Sequence, residues 1–471
     1  MSEEFEDINN DLNELIEKFE DCLSSGEGCF FDSDELLEVI DYYFAVEEKS
    51  KIKSAIDLAL SLYPHELDLI IRKAQYISQS KSPEDAIEFL EEYEKTNTED
   101  SDLLFALAAL YSQAGLTEKA IENYEYLLTQ DDDDIEVYTS LGEEYMTIQN
   151  YEGAAKIYKK ALLLEPTNDI VLQSFAFSSQ FIEKPNKSII FLKKLCKQHP
   201  FSEQNWIAYG LLLYYTESYF DAITAFDLSI AIDEDVPTAH LYRAQSLIAL
   251  ENYTEGITAL HEALKIMPEE PVIYFFLGQA YEKQNNWTTA AVYYKDSIKH
   301  DKYNADAWIG VAMCYFELND FPSAEPYIQK AIEIEPTNVH FRLAYAEMLY
   351  KEKYIEKSEE IYQALYDEGN ELAIVTINWA MAMSLNEKLM DAIHLLRETI
   401  ENNQFDEPSI YFALIELSLK EPYLKDHLED YLFKLFLEFD VSSDMIKQYC
   451  PTLLTNPQYE TLIKTYINEK D

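Results

Sequence analysis

The chain has 471 residues, 48% of them apolar, and a formal net charge of −53 from 36 basic and 89 acidic side chains. That charge argues against a binder of phosphate backbones, which needs clustered Lys and Arg to displace counterions, and against an anionic membrane surface, which attracts polybasic segments. It leaves two readings, attraction of a partner with a basic face and solubility alone, of which solubility is the simpler.

The N-terminal run Met1-Ser2-Glu3-Glu4-Phe5 lacks the positive and apolar regions of a secretory signal. No stretch is long and apolar enough to span a bilayer. Cys22, Cys29, Cys196, Cys314 and Cys450 are scattered, with no CxxC pair, and do not read as a disulfide framework. A soluble, cytoplasmic protein is expected. Phe5, Ile8, Leu12, Leu15, Phe19 and Leu23 recur at helical spacing and predict an amphipathic helix over 5–23. A turn at Ser24-Ser25-Gly26-Glu27-Gly28 follows. Residues 1–48 hold 17 carboxylates against Lys18 alone, net −16. This segment is expected to cap the array that follows it. Its acids form a solvated face or, in a sharper reading, a dock for a basic partner.

A weak unit over Ser33–Glu66 has Tyr43, Ala59 and Pro64 in place, but Ile40 and Ile52 where later units carry small residues. From there a step of 34 holds without a gap. The eighth position reads Ala74, Ala108, Gly142, Ala176, Gly210, Ala244, Gly278, Ala312, Ala346 and Ala380. The twentieth reads Ala86, Ala120, Ala154, Ser188, Ala222, Gly256, Ala290, Ala324, Ser358 and Ala392. Two antiparallel helices approach closely only where both side chains are small, so each unit is expected to be one helix pair crossing at these positions. Tyr124, Tyr158, Phe226, Tyr294 and Tyr362 at the twenty-fourth position belong to the buried stripe. Pro64, Pro166, Pro200, Pro268 and Pro336 fall at the thirty-second position, where a helix must stop. Thr98, Asn370 and Gln404 stand there in other units. Asp131–Asp134 lacks the alternation and central Gly of a calcium loop and reads as a solvated turn.

The unit Ile135–Asn168 carries Tyr138, Leu141, Gly142, Tyr145, Ala154, Tyr158, Ala161 and Pro166, and in this spacing it resembles a tetratricopeptide repeat. The wider resemblance is to long, repeat-only bacterial proteins of this type. It implies an all-α fold, a right-handed superhelical solenoid of antiparallel helix pairs. It also implies a concave face lined by the first helix of each pair, through positions 2, 5, 9, 12 and 13. Carried over, those positions give Phe105, Phe177, Phe181, Leu211, Tyr214, Tyr215, Gln245, Phe275, Gln279, Met313, Phe316 and Tyr350. An exposed apolar stripe of this kind marks an interaction site, unless the superhelix or its caps fill it. The Lys and Asn of a carboxylate clamp are absent at positions 5 and 9, where Thr139 and Glu143, or Ile207 and Leu211, stand instead.

The register fades after Gln404, and Leu428, Tyr431, Leu432, Leu435 and Phe436 form one further apolar stripe, read as a C-terminal cap or a dimerisation element. Shorter helices are expected over 442–469. The expected organisation is a capping helix over 1–32, the repeat array over 33–406, and a degenerate repeat with its cap over 407–471. The eight histidines are dispersed and no HExxH, Gly-rich phosphate loop or GxSxG elbow occurs. No catalytic residue, metal or cofactor is expected. The function expected is a non-catalytic scaffold that holds a protein or peptide in the groove. The alternative is a structural subunit that docks or self-associates by its ends, and an enzyme ranks last.

Overall fold

Every 34-residue period folds into two helices joined by short turns. The computed structural model describes residues 2–25, 30–94, 100–369, 372–402, 407–420, 425–454 and 459; these form 27 helices and no strand. They divide into two units, Met1–Leu250 and Glu251–Asp471.

The first unit contains α1 (Ser2–Ser25), α2 (Ser33–Ala45), α3 (Lys49–Leu62), α4 (Leu67–Ser80), α5 (Pro83–Glu94), α6 (Ser101–Gln113) and α7 (Thr117–Gln130). It continues with α8 (Ile135–Thr147), α9 (Tyr151–Leu164), α10 (Asp169–Gln180), α11 (Asn186–Gln198), α12 (Glu203–Tyr215), α13 (Tyr219–Ile232) and α14 (Pro237–Ala249). The second contains α15 (Tyr253–Ile266), α16 (Pro271–Lys283), α17 (Trp287–His300), α18 (Ala305–Glu317), α19 (Phe321–Ile334), α20 (Val339–Lys351) and α21 (Ile355–Asp367). It ends with α22 (Ala373–Leu385), α23 (Leu389–Glu401), α24 (Pro408–Ser418), α25 (Lys425–Glu438), α26 (Ser443–Tyr449) and α27 (Pro451–Leu454).

Local chemistry sets the ends. Asp100, Asp134, Asn168, Asn304 and Asn338 cap first helices by accepting first-turn N–H groups. Asp32 and Glu35 form a reciprocal capping box on α2. The turn within a pair uses a left-handed residue at position 15: Glu47, Gly115, Gln149, Glu217, Glu251, Asn285, Asn319, Lys353 and Glu387 have φ of 57–71°. The residue after it turns its N–H back to the carbonyl of position 11, as from Asn150 to Tyr145 at 2.8 Å and from Asn286 to Tyr281 at 2.9 Å. Each proline at position 32 lies between helices, as expected. Thr98, Asn370 and Gln404 lie outside the described residues. The aromatics at position 4 brace these turns: the indole of Trp206 donates to the Pro200 carbonyl (3.1 Å), and that of Trp308 to the Lys302 carbonyl (3.0 Å).

The small residues at position 8 are all buried, and so are those at position 20 except Ser188. What covers position 8 is specific. A Cβ on Gly142 would stand 2.3 Å from the Tyr158 ring, one on Gly210 2.6 Å from Phe226, and one on Gly278 2.6 Å from Tyr294. The close approach is therefore helix backbone against the ring at position 24, which refines the expected backbone-to-backbone crossing.

At the N-terminus, Leu15, Ile16 and Phe19 of α1 join Leu36, Ile40 and Tyr43 in one buried cluster. The Gly26–Gly28 part of the expected turn lies outside the described residues. At the other end Leu428, Leu432 and Leu435 of α25 pack with Phe412 and Ile415. Helices α26 and α27 occupy part of 442–469; residues 455–458 and 460–469 lie outside the described set.

Candidate protein-binding groove

The first helices α10, α12 and α14 follow one another side by side in the first unit. Their facing residues enclose a cavity of about 510 Å³ that Met146 of α8 and Tyr158 of α9 complete. Phe177, Leu211 and Tyr215 meet there, with Gln173, Ser174, Thr238 and Tyr242 around them. No lining residue is charged, in a chain with 27% charged residues. Burial raises the Tyr158 phenol to about 12, and burial with a Tyr242 hydrogen bond raises that of Tyr215, so both stay neutral donors.

Aromatic contacts hold this wall. Phe177 meets Phe181 edge-on at 5.3 Å and Tyr215 at 6.4 Å, and Phe181 stacks on Tyr151 at 4.5 Å. Phe177 is still 46% exposed and Phe181 50%, whereas Leu211 is only 5% exposed and forms the floor. Tyr214 stands behind Tyr215 and Tyr242, at 5.7 and 5.2 Å, and its hydroxyl donates to the Gln245 side-chain carbonyl at 2.8 Å. That oxygen of Gln245 is thus engaged within the fold.

The remaining sequence-derived residues lie elsewhere. Phe105 packs edge-on to Tyr124 at 5.6 Å and lines a separate cavity of about 330 Å³ with Arg72, Asp68 and Glu136. In the second unit Phe275 packs on Tyr294 at 5.7 Å, and Gln279, four residues further along α16, is half-buried. Met313 and Phe316 pack beside Ala312, Phe321 and Leu349, and the Lys351 ammonium lies over the Phe316 ring at 5.2 Å. Tyr350 lines a cavity of about 240 Å³ with Tyr362, Asn378 and Met381. Tyr242 and Thr238 escaped the sequence reading. Tyr242 sits at position 6, outside the carried-over set, and its stacking on Phe226 at 6.2 Å is visible only in three dimensions. Among the described residues no three His, Cys, Asp or Glu side chains gather where a metal ion would be held. No described helix is long and apolar enough to cross a membrane.

Tetratricopeptide repeat models match residues 135–168 and 305–338, two segments in the same register, five periods apart. The chain is a tetratricopeptide-repeat protein. No curated protein matches it. Among solved structures it is similar to a chain of the Cut9–Hcn1 hetero-tetramer of the APC/C, at 15% identity and a TM-score of 0.40, over 85% of this chain and 90% of that one. It is also similar to MamA from Desulfovibrio magneticus RS-1, at 15% identity and a TM-score of 0.33, over 36% of this chain and 97% of that one. The cavity described above is built by the tetratricopeptide unit matched at 135–168 and the units that follow it.

Proposed function

We propose that this tetratricopeptide-repeat protein is a non-catalytic, cytoplasmic scaffold that seats an apolar segment of a partner protein on the α10–α12–α14 face. Residues 1–32 and 407–471 cap the array of 33–406 in this reading, and the acidic surface favours partners with a basic rim. The uncharged cavity beside the exposed Phe177 and Phe181 supports it most directly. Such a cavity accepts an apolar side chain at no cost in buried charge, and an aromatic wall supplies most of the contact area. Phe177→Asp tests the reading, because its site is half-exposed and tolerates a charge without unfolding. Proteins recovered with the tagged full chain from its native host are compared between wild type and variant, with thermal unfolding as the control. The variant is expected to melt with wild type and to lose its specific partner. A folded variant that keeps every partner overturns the proposal.

One observation favours a second reading, self-association by the C-terminal end. Phe433 and Leu437 of α25 are 51% and 68% exposed. Light scattering on the full chain and on Leu437→Glu separates the two: two monomers remove self-association.

A further inference from the structure

The pair α10/α11 differs from its neighbours. The backbones of α10 and α11 approach each other less closely than those of α6 and α7, α8 and α9 or α12 and α13, although Phe175 of α10 still meets Phe191 of α11 edge-on at 5.4 Å. Its turn lacks the left-handed residue at position 15, since Glu183 is absent from the positive-φ set. Pro185 follows at position 17, where the next unit carries Tyr219. Ser188, the half-buried exception at position 20, borders the gap this leaves, a cavity of about 480 Å³. Ala155, Phe175 and Ile182 give it an apolar floor. Lys156 and Lys159 of α9, Lys184 in the turn before α11 and Lys187 in its first turn line its rim, against the single carboxylate of Glu152.

Three independent features make this place attractive to anions. Residues 151–200 hold eight lysines and four carboxylates, a local +4 in a chain of −53. Among the described residues none of the four rim lysines forms an ion pair, although the chain is rich in carboxylates. The N-terminus of α11 has neither a side-chain cap nor an acid in its first turn, so its positive dipole end is left uncompensated beside the cavity. The apolar floor adds a requirement that a bare phosphate does not meet.

We propose that this cavity binds an acidic segment of a partner protein, a stretch of Asp and Glu interrupted by one apolar side chain. The carboxylates pair with the rim lysines and the α11 N-terminus, and the apolar side chain covers Phe175 and Ile182. A long polyanion or a second copy of the chain would bring most of its charge against the acidic surface outside the patch. A short segment places only a few charges, all within reach of the lysines.

The experiment uses fluorescence anisotropy on the full chain, with a labelled peptide of Asp and Glu flanking one Leu. The comparison peptide has Asn and Gln in their place. Wild type is expected to bind the acidic peptide alone, and Lys156→Glu/Lys187→Glu, at exposed positions, to weaken it by on the order of tenfold or more. Phe177→Asp, which alters the other cavity, is expected to leave this binding unchanged, so failure here and failure of the scaffold reading are distinguishable. Equal binding of both peptides, or an unaffected double variant, overturns the proposal. So does equal displacement by inorganic phosphate or a single-stranded oligonucleotide, which would mark an unselective anion site. A dimer in light scattering that the double variant dissolves would assign the face to a second copy instead.

Discussion

Tyr294 is held between two glycines. A Cβ on Gly278 of α16 would stand 2.6 Å from its ring and one on Gly310 of α18 2.8 Å, while its hydroxyl donates to Glu282. With both faces in contact and burial almost complete, the ring has nowhere to retreat. Gly278→Ala gains helix propensity of about 1 kcal/mol but forces overpacking that costs roughly 1–3 kcal/mol. We expect a net loss of up to about 2 kcal/mol in denaturant unfolding. Pairing it with Tyr294→Leu should return part of that loss relative to Tyr294→Leu alone, because the obstructing ring is gone. Additive losses in the double variant would show that the ring does not set the requirement at position 8. The same logic marks Cys196 and Cys314, whose thiols burial pushes up to about 12. Both should stay protonated and resist alkylation near neutral pH until the chain unfolds, as mass spectrometry of iodoacetamide-treated protein would show.

At the scale of the helix pair, the turn at position 15 makes a prediction of opposite signs. Gly115 has φ 71° and nothing within 4 Å of where its Cβ would be. Gly115→Ala therefore meets only backbone strain, a loss of about 1 kcal/mol. Gln149 adopts φ 58° with a side chain already in place, and Gln149→Gly should gain several tenths of a kcal/mol to about 1. Denaturant midpoints of the two variants moving in the same direction would show that left-handed strain does not decide the stability of this turn. This pair architecture was legible in the sequence because small residues recur at 8 and 20 whatever the partner, and Pro marks many of the ends. Part of the arrangement on the proposed binding face was legible. Phe177, Leu211 and Tyr215 fall at positions 9 and 13 and do converge, but Gln245 gives its carbonyl to Tyr214, and Phe105 lies against a different, charged cavity. Burial of Leu211 and recruitment of Tyr242 depend on how one unit sits on the next, which a 34-residue pattern does not encode. The wider spacing of α10 and α11 had one sequence cue, Pro185 at position 17, but Pro83 occupies the same position in a unit whose helices, α4 and α5, approach closely. The proline alone was therefore insufficient to reveal it.

At the scale of the whole chain, a net charge of −53 on 54.8 kDa sets how stability responds to salt. The ion pairs that form, such as Lys265–Glu262 and Lys330–Glu333, are mostly exposed, and such pairs contribute roughly 0–1 kcal/mol each. Like-charge repulsion acts among far more groups and over longer distances. The Debye length falls from about 30 Å at 0.01 M to about 10 Å at 0.1 M salt, so added salt removes the long-range repulsion first and leaves the close pairs partly intact. The melting temperature should therefore rise between about 10 and 300 mM NaCl. Binding of an acidic peptide at Lys156 and Lys187 should weaken over the same range, since that contact is a local attraction. Differential scanning calorimetry and anisotropy in matched buffers read the two trends. A melting temperature that falls with salt would mean that close ion pairs, rather than self-repulsion, dominate the electrostatics of the folded array.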